Sequence, residues 1–144
     1  MFKAIESVKK QYDLTNKVCV ITGGAGFLGR QFASAIIEMG GLPILIDVDE
    51  NSLKEATEQI GSDENRIHSI VADITDEKQI VSAIGKIKSE FNSIDVLINN
   101  AALTKYGCDA DHEAFFAEFE HTNDKVWEQG IKINLTATML CCKN

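Results

Sequence analysis

A chain of 144 residues, 44% hydrophobic and 25% charged, is long enough for one domain with a real core. Its net charge of −8 excludes the positive field that nucleic acid or an anionic membrane surface would require. No apolar stretch nears the roughly 20 residues of a membrane span, and charges interrupt the start Met1-Phe2-Lys3-Ala4-Ile5-Glu6 where a signal peptide needs an apolar run, so the expected address is cytoplasmic.

In chain order, Phe2, Ile5, Val8 and Tyr12 have the spacing of a short amphipathic helix over 1–13, read as a packing extension. Lys17–Thr22 is a continuous apolar run, as in parallel strands covered on both faces. Leu28, Phe32, Ala35, Ile36 and Met39 then recur at helical spacing, and Gly40-Gly41 stops that helix. Leu42–Asp47 is a second strand, with Pro43 tolerable near its start. Asp49 caps a helix to Ile60, which Gly61 ends. Arg66–Ala72 is a third strand. Thr75 is expected to cap the next helix, whose apolar face is Ile80, Val81, Ile84, Ile87 and Phe91. Ile94–Asn99 is the fourth strand. A polar stretch from Asn100 to about Thr122 holds one aromatic helix candidate (Phe115, Phe116, Phe119), and a last helix runs from near Asn123 to the end. This β-α alternation predicts an α/β fold, a doubly wound parallel sheet of about four strands with flanking helices.

Gly24-x-Gly26-x-x-Gly29 lies between the first strand and its helix. A pyrophosphate site needs this arrangement: one glycine for the turn, one for close backbone approach to phosphate, one for helix–strand packing. The helix N-terminus then offers free N–H groups to the anion. Asp47 stands 18 residues beyond Gly29, near the ~20 expected of an acid that binds the ribose hydroxyls of NAD. No Lys or Arg flanks Asp47, so NAD is expected to bind more tightly than NADP; the plain alternative is a turn residue. Arg30 stays open as a phosphate contact. Cys19 reads as a core residue, Cys141 and Cys142 as neighbours pointing apart on a helix, and Cys108 as part of the polar loop; without a C-x-x-C pair no structural metal site is expected.

Over roughly residues 13–143 these segments resemble the short-chain dehydrogenase/reductase family. Thr22-Gly23-Gly24-Ala25-Gly26-Phe27-Leu28-Gly29 is similar to its cofactor loop. The single-domain branch has T-G-x-x-x-G-x-G, with Gly where Phe27 stands; the extended branch has T-G-x-x-G-x-x-G, which this loop fits, so the loop leaves the branch open. Three later motifs resemble the single-domain branch. In Ala72-Asp73-Ile74-Thr75-Asp76 the resemblance implies an adenine contact from Asp73 and a backbone contact from Ile74. Asn99-Asn100-Ala101-Ala102 is similar to N-N-A-G, with Ala102 in place of Gly; it implies that Asn99 ties neighbouring strands and Ala101 lies by the cofactor. Ile131-Lys132-Ile133-Asn134-Leu135-Thr136 resembles the helix whose Asn joins the catalytic tetrad, which implies that role for Asn134.

The family's hydride transfer uses a Tyr and a Lys four residues apart, with a Ser to hold the substrate oxygen. Tyr12 is followed four later by Asn16 and Tyr106 by Ala110, so these 144 residues contain no such pair. The expectation is therefore a helical extension (1–13) and a Rossmann-type NAD-binding domain (14–144) truncated before its Ser-Tyr-Lys segment. The resemblance implies an NAD-dependent oxidoreductase of a secondary alcohol or ketone, with a sugar among the candidate substrates, whose full-length parent forms a homodimer or homotetramer; this chain alone would not turn over. Its partner would be a small-molecule substrate. The alternatives are a non-catalytic NAD-binding or regulatory module, and a fragment of an extended-branch sugar-nucleotide epimerase or dehydratase. Cys108, Asp109, Asp111, His112, Glu113 and His121 match no metal-ligand spacing and read as a solvated loop.

Overall fold

The computed structural model describes residues 8–61, 67–103 and 117–144. Its elements are α1 (Val8–Gln11), β1 (Val18–Thr22), α2 (Phe27–Glu38), β2 (Leu42–Asp47), α3 (Glu50–Ile60), β3 (His68–Val71), α4 (Glu77–Phe91) and β4 (Val96–Asn99). A short 3-10 turn (Phe119–His121), α5 (Asp124–Gly130), a π-helical stretch (Ile131–Ala137) and α6 (Thr138–Lys143) follow. Phe2, Ile5, Arg66, Tyr106, Phe115, Phe116 and the expected loop cluster Cys108–Glu113 lie outside the described residues.

All strands pair in parallel in the order β3-β2-β1-β4, the doubly wound arrangement expected. β1 is central and all five of its residues are buried, which is why it reads as an unbroken apolar run. Its alternate residues feed two cores. Val18 and Val20 pack with Ile44, Ile46, Ile80 and Ile87 on the α4 face; Cys19 and Ile21 pack with Ala33, Ile36, Leu45 and Leu53 on the α2/α3 face. β3 lies at the edge and is shorter and less covered than the expected Arg66–Ala72, with His68 stacked edge-on to Phe91 at 4.7 Å.

Helix ends follow the chemistry of their caps, with one correction. Asp49 accepts N–H bonds from Asn51 and Ser52, and Gly40, at φ +82°, closes α2. The cap of α4 is Asp76, not Thr75: the Asp76 carboxylate accepts the Lys78 N–H, while Thr75 donates its own N–H to Asp73 at 2.8 Å. Two expected helix faces are also rotated. On α2 the buried line is Gly29, Ala33 and Ile36, leaving Leu28 56% exposed; on α4 it is Ile80, Ala83 and Ile87, leaving Val81 52% exposed. The last helix begins at its Asn123 cap as expected, but its middle is π-helical. There Thr138 Oγ1 donates to the Asn134 carbonyl at 3.1 Å and competes for a helix acceptor. Among the described residues no helix is long and apolar enough to cross a membrane.

Asp95 fastens the start of β4 to β1. Its carboxylate accepts from Lys17 Nζ at 2.8 Å and from the Val18 N–H at 3.0 Å. The Lys17 contact first, then the Val18 N–H, pull the Asp95 carboxyl down from 3.8 to about 2. A depressed folded-state value stabilises the fold above the unfolded value, and this contribution is lost as pH falls from near 3.8 through about 2. Urea titrations across that window should therefore show a smaller loss of stability for Asp95→Asn than for the unmodified chain. Parallel acid profiles for the two proteins would remove Asp95 from this role.

Candidate functional site

The C-terminal ends of the strands share one edge of the sheet: Thr22 pairs with Ile46 on one side and Asn99 on the other, and Asp47 with Val71. The chain reverses its winding direction beside β1, between β2 and β4, so the residues following β1 and β4 face one another across the switch point.

The glycine loop occupies that edge, and the structure separates the roles of its glycines. Gly23 has φ +62°, and a Cβ there would stand 2.8 Å from the Ala101 Cα, so this turn seats the loop on the segment after β4. A Cβ on Gly24 would meet Leu45 at 2.7 Å; this glycine packs against β2, not toward an incoming ligand. A Cβ on Gly29 would stand 2.5 Å from the Gly23 carbonyl oxygen and 2.7 Å from the Gly24 Cα, which makes it the helix-to-loop contact. Gly26 differs: a Cβ would meet only the Gly23 oxygen, at 3.3 Å, and the residue is exposed at the N-cap of α2.

That cap carries no side-chain hydrogen bond, whereas Asp49, Asp76 and Asn123 cap α3, α4 and α5. The amides of Phe27, Leu28 and Gly29 open α2 without intrahelical acceptors, at the positive end of a 12-residue helix. Phe27 (79% exposed) and Leu28 turn their side chains to solvent, leaving their backbone as the part that faces the loop. This cradle can hold an anion.

Asp47 closes the site on the β2 side. One carboxylate oxygen accepts the Ala25 N–H at 3.2 Å; the other accepts those of Val48 at 2.8 Å and Asp49 at 3.3 Å. It is both a turn residue and a partly exposed carboxylate at the mouth. Asp73, also partly exposed, holds the turn after β3 through the Thr75 N–H, and Ile74 is a core side chain that has only its backbone to offer a ligand.

Several expected roles move to other atoms. Thr22 is 1% exposed, and its hydroxyl accepts the N–H groups of Asn100 at 3.1 Å and Ala101 at 3.2 Å, so its side chain forms a cross-link inside the fold. The residue that ties strands is Asn100, not Asn99: its amide donates to the carbonyls of Thr22 and Gly23, both at 3.0 Å. Asn99 points across to Cys142, donating to its Sγ at 3.3 Å. Side chains alternate along a strand, so one residue of shift exchanges these two directions. Arg30 turns away from the cradle: Nε donates to the Ala25 carbonyl at 2.8 Å, and its Nη atoms reach Gln59 and the Ser52 carbonyl on α3. Asn134 lies in the π-helical stretch and accepts the Leu103 N–H at 2.7 Å, anchoring the segment that leaves the site. Ala25, Asn100 and Leu103 carried no signal in spacing alone. The potential ligand atoms of Glu118, Glu120 and His121 lie within 4.8 Å of one another, but all three residues are exposed.

A parallel sheet, a glycine loop entering an uncapped helix at the switch point and an acid at the next strand end define the dinucleotide-binding class of α/β folds. The chain belongs to the short chain dehydrogenase family, whose model matches residues 17–144. It is 31% identical over 132 residues to a short chain dehydrogenase/reductase of Macrophomina phaseolina, covering 91% of this chain and 70% of that protein. It is 28% identical to an NAD-dependent glycerol dehydrogenase of Listeria innocua over 91% of this chain and 46% of that one. The crystal structure of an NAD+-bound xylitol dehydrogenase superposes with a TM-score of 0.80 at 25% identity, over 90% of this chain and 46% of the other. The chain spans about half the length of most of the curated relatives it matches.

Proposed function

We propose that this chain is the NAD-binding portion of an oxidoreductase that interconverts a secondary alcohol and a ketone, with polyols as the substrate class. The observation that carries this reading is the uncapped start of α2 beside the Asp47 carboxylate. Phe27 and Leu28 N–H groups would take the pyrophosphate, Asp47 the adenosine ribose, and Asp73 with the Ile74 backbone the adenine. Ala101, packed under Gly23, would form the floor beside the cofactor. When bound, the nicotinamide supplies a hydride-transferring carbon. Asn134 would act through the segment it anchors at Leu103. The relatives named for glycerol and xylitol supply the polyol class.

Since no Tyr in the sequence is followed four residues later by Lys, the chain's own residues bind and orient, and proton transfer of the family type has no donor among them. The 144-residue chain is accordingly expected to bind cofactor without oxidising a polyol.

Asp47 sets the cofactor choice in this reading. Its carboxylate would accept from ribose hydroxyls and repel a 2′-phosphate. A charge-assisted hydrogen bond contributes about 1.5–3 kcal/mol, or roughly tenfold to hundredfold in affinity. Fluorescence titrations should show NADH bound more tightly than NADPH, and Asp47→Asn should narrow the gap about tenfold or more. Equal affinities for the two cofactors in the unmodified chain would remove Asp47 from this role.

A further inference from the structure

The glycine loop is held at Ala25 from both sides of one residue. Its N–H is accepted by Asp47 Oδ2 at 3.2 Å, and its carbonyl accepts from Arg30 Nε at 2.8 Å. The Arg30 side chain is 22% exposed, and its remaining donors go to α3: the Gln59 side chain, the Ser52 carbonyl at 3.5 Å, and Glu55 at 3.9 Å. A planar guanidinium can serve these separate acceptors at once; an ammonium on a lysine stem cannot reproduce that fork. The next amide, Gly26 N–H, turns inward to the Gly23 carbonyl at 3.1 Å. Both ends of the Ala25–Gly26 peptide are therefore hydrogen-bonded, the carbonyl to Arg30 and the N–H to Gly23, which opposes a flip that would reorient the amides of Phe27 and Leu28.

We infer that Arg30 is a positioning residue for the pyrophosphate: it locks the Ala25 carbonyl from behind the loop and so pre-orders the α2 amides, and does not itself touch a phosphate. Arg30 and Asp47 thereby form one chain, Arg30–Ala25–Asp47, that couples the ribose end of the site to its phosphate cradle. The binding half of this inference rests on the dinucleotide reading above; the loop-ordering half does not.

The test compares Arg30→Met, Arg30→Lys and Gln59→Leu in the full chain. Amide hydrogen exchange at Ala25 and Gly26, read by NMR without ligand, should quicken about tenfold in both Arg30 variants, the equivalent of one hydrogen bond. Gln59→Leu removes a partner on α3 but leaves the Nε contact, and its loop amides should exchange as in the unmodified chain. Affinities for ADP and NADH should fall about tenfold in both Arg30 variants and stay within about twofold in Gln59→Leu. Unchanged loop exchange in Arg30→Met would overturn the inference. So would a Gln59→Leu variant that reproduces Arg30→Met, since Arg30 would then be only a staple between helices. Full ADP affinity in Arg30→Lys would point to a direct charge contact and overturn it as well. If the unmodified chain binds neither ADP nor NADH, the dinucleotide reading fails, and the exchange comparison still decides the clamp.

Discussion

Gly29→Ala should lower both the stability of the fold and its affinity for a dinucleotide, although it adds a single methyl group. The new Cβ would lie 2.5 Å from the Gly23 oxygen and 2.7 Å from both the Gly24 Cα and its oxygen. All three are backbone atoms of the loop, so no side chain can rotate aside. The loop or the first turn of α2 must move. Overpacking of this kind costs about 1–3 kcal/mol, and sites without a flexible neighbour sit at the upper end. Because α2 begins only two residues earlier, the shift displaces the Phe27 and Leu28 amides from where an anion would meet them. Urea unfolding should show the lower midpoint, and NADH titration an affinity reduced about tenfold or more. Gly26→Ala is the matched control, because its methyl would meet one oxygen at 3.3 Å; it should change stability far less. A Gly29→Ala variant with an unchanged midpoint and unchanged affinity would contradict the packing role.

The central strands were legible because β1 and β2 are buried along most of their length and therefore mainly apolar. Caps such as Asp49 were legible because few residue types can accept the orphan N–H groups of a helix start. The phase of the helices was not. On α2 the large residues Leu28 and Phe32 suggested the core face, yet the line against the sheet is Gly29, Ala33 and Ile36. Helices settle closely on a sheet through small residues, and a hydrophobic pattern weights the large ones. On α4 the same effect puts Ala83 inside and Val81 outside.

The placement of the glycine loop, Asp47 and Asp73 after the C-terminal ends of β1, β2 and β3 was legible from the motifs and the strand–helix alternation. The bonds among them were not, because a one-residue alternation decides them. Asn99 and Asn100 are chemically identical, and only the register of β4 against β1 assigns one to Cys142 and the other to the loop. Arg30 stays open as a phosphate contact until the position of α3 is known; its partners there stand 22 to 29 residues away in the chain.

Thr22→Val isolates the cross-link that joins the two halves of the site. Valine matches threonine in shape, so no cavity opens, and the substitution removes a hydroxyl that is buried with the whole residue 1% exposed. That hydroxyl accepts two N–H groups, from Asn100 at 3.1 Å and Ala101 at 3.2 Å. Leaving a buried donor unsatisfied costs about 1–3 kcal/mol, so two should cost roughly 2–4 kcal/mol once the partly buried turn relaxes. Ala101 lies directly beneath Gly23, so the loop should loosen with it. Thr22→Ser keeps the hydroxyl and loses one methyl, a change of about 1 kcal/mol. Urea unfolding should therefore rank the proteins as unmodified, then Thr22→Ser, then Thr22→Val. The opposite order for the two variants would mean that Thr22 stabilises by packing its methyl group. The predicted order would mean that the Thr22 hydroxyl stabilises the fold through the two N–H groups it accepts from the turn after β4.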